Sequence, residues 1–322
     1  LERSIDEITG TEYVTEEKTV IDGYIANAEL WLDLDNDGQI DLGNDDGIYD
    51  QGEDYFTERY SASEGSFVLR ETFELNGQTL EASNYDVLIR SGVNIDTGIV
   101  NTMILIAPPE ATVVTPLTTL VMKATIDHNL TLEEAEAAVK RVLVDPSSNF
   151  SILHQDPIDV LKNDSTNIDA LAAHKAAVKV VKAAMLVASD LNTAANSDSN
   201  ISDSQSEQMS QIAVETAITV LTDLIVNSTD NNTLDPTSAA SADVILDNLQ
   251  DNLNDQLGNS DVNSLFQSAK TNMKSNLIDV GAKIENSASV EEISKEQALA
   301  LDNTAPGLVT VNPNLNQALT NV

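Results

Sequence analysis

The chain contains no cysteine. Disulfides, thiolate metal sites and cysteine nucleophiles are therefore excluded, and in a secreted protein a bound metal ion becomes the obvious alternative staple. Aromatic residues are scarce, at 4%, with a single tryptophan. Alanine, leucine, valine and isoleucine must supply most of the buried surface, which favours helices packed through small aliphatic side chains over an aromatic-lined pocket. Basic residues are few as well: 16 Lys and Arg stand against 53 Asp and Glu, for a net charge of -37. Such a surface repels phosphate backbones and anionic lipid, so neither nucleic acid nor membrane insertion is expected. It attracts divalent cations, and it also fits a solvated surface whose self-repulsion salt screens. No uninterrupted apolar run reaches the roughly 18 residues that a membrane-spanning helix needs.

What is present is enough for two domains: 322 residues, 41% of them hydrophobic, against a prior of roughly 100–200 residues per domain. The chain starts at Leu1 without a signal-peptide pattern and reads as a mature product or an excised fragment. Residues 1–19 are acidic and weakly patterned, as a leader or linker would be. Residues 20–115 have a β texture. Short β-branched and aliphatic segments (Ala28–Leu32, Ser66–Leu69, Asp86–Arg90, Met103–Ile106) alternate with Gly, Asn and Asp clusters, among them the hairpin dipeptide Asn76-Gly77. Strands at that spacing predict a β-sandwich.

At Thr115-Pro116 the period changes from two towards 3.6, with Pro116 at a first helical position and Thr115 as its cap. Thr131 and Glu134 form a capping box for a helix running to about Val144. Apolar stripes at helical spacing come next: Leu171, His174, Val178, Val181 and Met185; then Val214, Ile218, Leu221 and Ile225; then Leu246, Leu249, Leu253 and Leu257; then Val262, Phe266, Ala269, Met273 and Leu277. Solvated connectors are expected over Ala195–Ser206 and Asn227–Thr237. The expected architecture is thus α+β and multidomain, with a calcium-binding β-sandwich at 20–115 and an all-α helical bundle at 116–301. Residues 302–322, rich in Pro and Asn, read as a linker or the start of a following β-module.

The one constellation with chemistry in it runs from Asp33 to Asp54. Carboxylates at alternate positions converge on one point when a loop curls, and glycine permits the sharp turn. With Asp33 at position one of an EF-hand-like loop, Asp35 and Asp37 fall at three and five, Gly38 at six, the Gln39 carbonyl at seven, Asp41 at nine and Asn44 at twelve. A second phrase, counted back from Glu53 at twelve, offers Asp50 at nine, the Ile48 carbonyl at seven, Asp46 at five and Asn44 at three, but Leu42 at one cannot ligate. Two Ca2+ ions sharing ligands around Asp41 and Asn44, or one ion with a looped-out insertion closed by Glu53, both satisfy this arithmetic. Mg2+ is disfavoured because it keeps several waters and takes few carboxylates. Strand-like flanks make this a loop that fixes structure, not a helix–loop–helix sensor.

No catalytic residue emerges. His128, His154 and His174 lack a partner at helical metal spacing, and no nucleophile elbow, phosphate loop or dinucleotide fingerprint occurs. His174 belongs to an apolar stripe and reads as a packed histidine near the surface. Trp31, inside a strand segment, reads as core or inter-domain contact and not as a sugar-stacking platform. Sequons such as that at Asn163 are expected by chance in an Asn- and Ser-rich chain.

Several phrases occur in a familiar order. Asp22-Gly23-Tyr24-Ile25 leads to the strand ending Trp31-Leu32-Asp33-Leu34-Asp35-Asn36-Asp37-Gly38. After it come Ser63-Glu64-Gly65-Ser66-Phe67, Asp96-Thr97-Gly98, Ala107-Pro108, Val113-Val114-Thr115-Pro116-Leu117-Thr118-Thr119-Leu120 and Asp156-Pro157-Ile158. Over roughly residues 20–190 this resembles a module of very large secreted bacterial adhesins and RTX-type calcium-dependent surface proteins, in which a prealbumin-like or SdrD-B-like β-domain precedes a helical region. The resemblance implies Asp33, Asp35, Asp37 and Glu53 as calcium ligands. The insertion between Asp41 and Glu53 departs from the family pattern and leaves the ion count open. Asp302-Asn303-Thr304-Ala305-Pro306 is similar to the start of Ig-like repeats in such adhesins. The expected protein is a non-enzymatic extracellular, bacterial cell-surface module, rigidified by calcium, that adheres to a protein or glycan partner or presents other domains. Alternatives are a subunit that self-associates into a surface filament or array, and a polysaccharide-binding module or enzyme accessory domain.

Overall fold

Among the described residues, the elements as far as Val114 are strands and one short 3-10 turn, and helices make up most of the rest. The computed structural model describes all residues except 1, 6–11, 22–23, 43–52, 61–64, 230–233 and 303–322. The strands are β1 (Glu2–Ile5), β2 (Glu12–Val20), β3 (Ile25–Ala26), β4 (Ala28–Asp33), β5 (Tyr55–Tyr60), β6 (Ser66–Arg70), β7 (Thr72–Leu75), β8 (Gln78–Glu81), β9 (Asp86–Arg90), β10 (Val93–Asn94), β11 (Leu105–Ala107) and β12 (Val113–Val114). They form several small sheets. β2 pairs antiparallel with β1 and β6 and parallel with β12; a second sheet runs β11-β9-β4-β5; β10–β3 and β7–β8 are two-stranded. Asn76-Gly77 closes the β7–β8 hairpin as expected, both residues at positive φ (51 and 76°) as a two-residue primed turn demands.

Within the segment expected as a leader or linker, residues 2–5 and 12–20 form β1 and β2. β2 pairs with three strands, and the Lys18 ammonium, 1% exposed, donates to the Pro109 and Ala111 carbonyls at 2.6 and 2.5 Å. The acidic composition of the segment concealed a strand whose buried charge is satisfied by backbone oxygens.

The helices are α1 (Pro116–His128), α2 (Leu132–Val139), α3 (Pro157–Asn163), α4 (Ile168–Asn196), α5 (Asp203–Asn227), α6 (Ala239–Leu257), α7 (Ser260–Asn286) and α8 (Val290–Asp302). Thr115 caps α1, accepting from the Leu117 and Thr118 amides, with Pro116 in the first turn. The Thr131–Glu134 capping box opens α2, and a π-helical turn, Lys140–Val144, extends it to the expected end. Each expected stripe lies on one helix, α4 to α7 in turn. α5 has the length and hydropathy of a membrane span, but over half of its most apolar stretch is buried inside the fold, as in the core helix of a folded protein.

The change at residue 115 is a change of secondary structure and not a gap in packing. One buried cluster contains Leu30, Val87 and Leu105 of the β11-β9-β4-β5 sheet, Val20 and Phe67 of the other, and Leu120, Val178, Leu221 and Leu277 of the helices. At about 1.5–3 kcal/mol for each fully buried large apolar side chain, this shared core ties the β-region to the helical region. A smaller cluster does the same locally: Trp31, Leu88 and Ile106 of the sheet bury with Met122 of α1. Trp31 is thus a contact between the two regions. His174 is not near the surface: it is 3% exposed, and its Nε2 has no hydrogen-bond partner among the described residues.

Candidate metal centre

β4 delivers Asp33 into the core side of the sheet, where it is fully buried, and the chain then turns out of the strand through Leu34–Ile40. The turn is built around the Asp33 carboxylate. Its Oδ1 accepts the Asn36 amide at 2.6 Å and the Asp37 amide at 3.3 Å, and its Oδ2 accepts the Gly38 amide at 2.8 Å. Asn36 and Gly38 both sit at positive φ, 59 and 74°, which asparagine and glycine tolerate best. The result brings Asp33, Asp35 and Asp37 together, with one carboxylate oxygen from each inside 4.8 Å of the others. Asp33 is the buried member, and Asp35 and Asp37 are exposed.

The remaining sequence candidates fall in three groups. Gln39 comes directly after the triad, its amide donating to Asp37 Oδ1 at 2.8 Å. Asp41 lies close enough for its carboxyl to be raised, first by partial desolvation and then by the charges of Asp37 and Asp35. Glu53 is half-buried and stands outside the triad. Asn44, Asp46, Ile48 and Asp50 lie outside the described residues.

Sequence reasoning missed Asp54, which is the residue that closes the loop. It is 2% exposed. One carboxylate oxygen accepts the Leu34 amide and the other the Asp41 amide, each at 2.9 Å, while its own amide donates to the Asp41 carbonyl at 3.0 Å. Asp54 therefore clamps both ends of the acidic turn by backbone contacts. The EF-hand template drew attention to Glu53 because it favours glutamate at the last position. The overlooked signal was an aspartate directly ahead of β5, where a buried carboxylate needs backbone donors.

The electrostatics of this corner are unfavourable to bare carboxylates. Asp33 faces Asp86 across the β4–β9 ladder, and like charges directly opposite repel. Burial pushes the Asp33 carboxyl up; the Gly38 amide pulls the other way, and Asp54 and then Asp86 raise it further. Burial likewise lifts Asp54 to about 6, against the Asp41 and Leu34 amides, and Asp86 to about 7, with Glu110 adding to it. Among the described residues, no Lys, Arg or His pairs with Asp33, Asp35, Asp37 or Asp54. The donors are all oxygens, several of them anionic. That is the donor chemistry of a hard divalent cation.

The loop is also docked on the helices. Gly38 packs beneath Ile126 of α1 and Ile106 of β11, and Ile40 packs against the small cluster that joins Trp31 to Met122. The turn therefore packs against the seam between sheet and helices. Compared with known protein families, curated proteins and solved structures, the chain finds no match.

Proposed function

We propose that the chain is a non-catalytic structural module of a secreted bacterial surface protein of the adhesin type, braced by calcium at the Asp33–Asp54 loop. The observation that carries this reading is the gathered triad of Asp33, Asp35 and Asp37 on a turn whose glycine is packed against α1. A divalent ion there offsets the repulsion among Asp33, Asp54 and Asp86 and fixes the turn to the helical region. With no disulfide to resist shear, such a brace stiffens an extracellular module in a calcium-rich medium. The shared core and the extreme acidity fit a spacer that presents neighbouring domains and stays soluble.

Single-molecule pulling on the chain between flanking handles tests the scaffold role. The reading predicts a higher unfolding force in calcium than in chelator, with the same gain in contour length. Equal forces in the two conditions would contradict it.

A further inference from the structure

A cleft of about 480 Å3 opens between α4, α5 and the segment around Val100, far from the acidic turn in sequence and unused by the scaffold role. This volume lies within the roughly 300–1,000 Å3 of small-molecule sites. Its floor is apolar, formed by buried Met185 and Ala188 of α4 and Val214 of α5. Its wall carries Ser189, 6% exposed, whose hydroxyl is buried without a hydrogen-bond partner among the described residues. At its mouth stand Asp203 and Glu207, one turn apart on α5 and both exposed. Among the described residues, no Lys, Arg or His lines the cleft, and neither does any aromatic residue.

We infer that this cleft binds a small amphipathic primary amine, with its ammonium at the Asp203–Glu207 mouth and its hydrocarbon body on the Met185–Val214 floor. The charge at the mouth excludes carboxylates and phosphates. The lack of an aromatic ring leaves nothing to stack a sugar or cage a quaternary ammonium. A primary ammonium has three donors to share between the two carboxylates. The wall is already fixed without a ligand: the Ser206 hydroxyl donates to Asn192 Oδ1, and the Ser210 hydroxyl donates to the Ser206 carbonyl.

Isothermal titration of the full chain in calcium at fixed ionic strength tests this with three probes: hexylamine, hexanol and ammonium chloride. Hexylamine is expected to saturate one site and to bind at least about tenfold more tightly than either hexanol or ammonium. The double variant Asp203→Asn/Glu207→Gln, altered only at exposed positions, is expected to lose about tenfold in hexylamine affinity with an unchanged melting temperature. The absence of saturable hexylamine binding overturns the inference. So does binding no tighter than that of ammonium, binding matched by hexanol, or binding unaltered in the double variant.

Discussion

Gly38, at the apex of the acidic turn, lies so near Ile126 of α1 that a β-carbon added to it would stand 2.9 Å from the isoleucine Cδ1. The same β-carbon would meet the Cδ1 of Ile106 at 3.2 Å. The turn is therefore seated on the helical region and does not stand free in solvent.

Gly38→Ala meets two costs. An L side chain at φ +74° is strained by about 1–2 kcal/mol, and the methyl must also displace the tip of Ile126. A loss of about 1–3 kcal/mol in urea unfolding is expected. Adding Ile126→Val should recover only the contact part, since the backbone strain persists. An additive double variant would show that the two residues do not touch in solution.

On the proposed calcium reading, ligand and clamp separate by their response to metal. Asp37→Ala should abolish the calcium-induced rise in melting temperature and leave stability in chelator within about 0.5 kcal/mol of the parent. Asp54→Ala removes the acceptor of the Leu34 and Asp41 amides, both part-buried, so it should cost about 1–3 kcal/mol in total even in chelator. Thermal melts of each variant with and without calcium make the comparison.

Lys18→Met keeps the length of the side chain but removes a buried ammonium held by two carbonyls. The expected loss is about 2–4 kcal/mol, read by denaturant unfolding. No loss would mean that β2 is not part of the cooperative unit.

His174 gives the acid limb of stability. Burial holds its imidazole down at about 4, below its ordinary 6.5. A depressed histidine contributes nothing at neutral pH, where it is neutral in both states. As pH falls below about 6.5 the unfolded chain takes up the proton first, and stability is lost until pH reaches about 4. The loss amounts to about 3 kcal/mol for this group alone. His174→Leu should remove that slope, so the difference in unfolding free energy between parent and variant should shift by this amount from about pH 7.5 to about pH 4. A constant difference across that range would show that the imidazole reaches solvent.

How far the sequence foretold this structure depends on the range of each interaction. α4 to α7 were legible because their apolar stripes repeat over many turns, and α1 and α2 because Thr115, Pro116, Thr131 and Glu134 act on their own neighbours. The Asn76-Gly77 hairpin was legible for the same local reason. The β2–β12 pairing was not: Val113 and Val114 are two residues long and meet Thr19 and Val20 across most of the β-region. Lys18 hid β2 because an isolated lysine signals solvent, and only the distant Pro109 and Ala111 carbonyls make its burial tolerable. In the acidic loop, alternation identified Asp33, Asp35 and Asp37, since their convergence needs only a tight turn. Asp54 escaped because its partners are backbone amides 13 and 20 residues away, which leave no side-chain pattern.

The decisive measurement is scanning calorimetry of the full chain in calcium, in magnesium and in chelator, with Asp37→Ala alongside. A calcium-specific upward shift that the variant lacks is expected, worth about 2.7 kcal/mol when free calcium exceeds its dissociation constant a hundredfold. Identical transitions in calcium and chelator for the parent chain would contradict the brace, and with it the surface-scaffold reading.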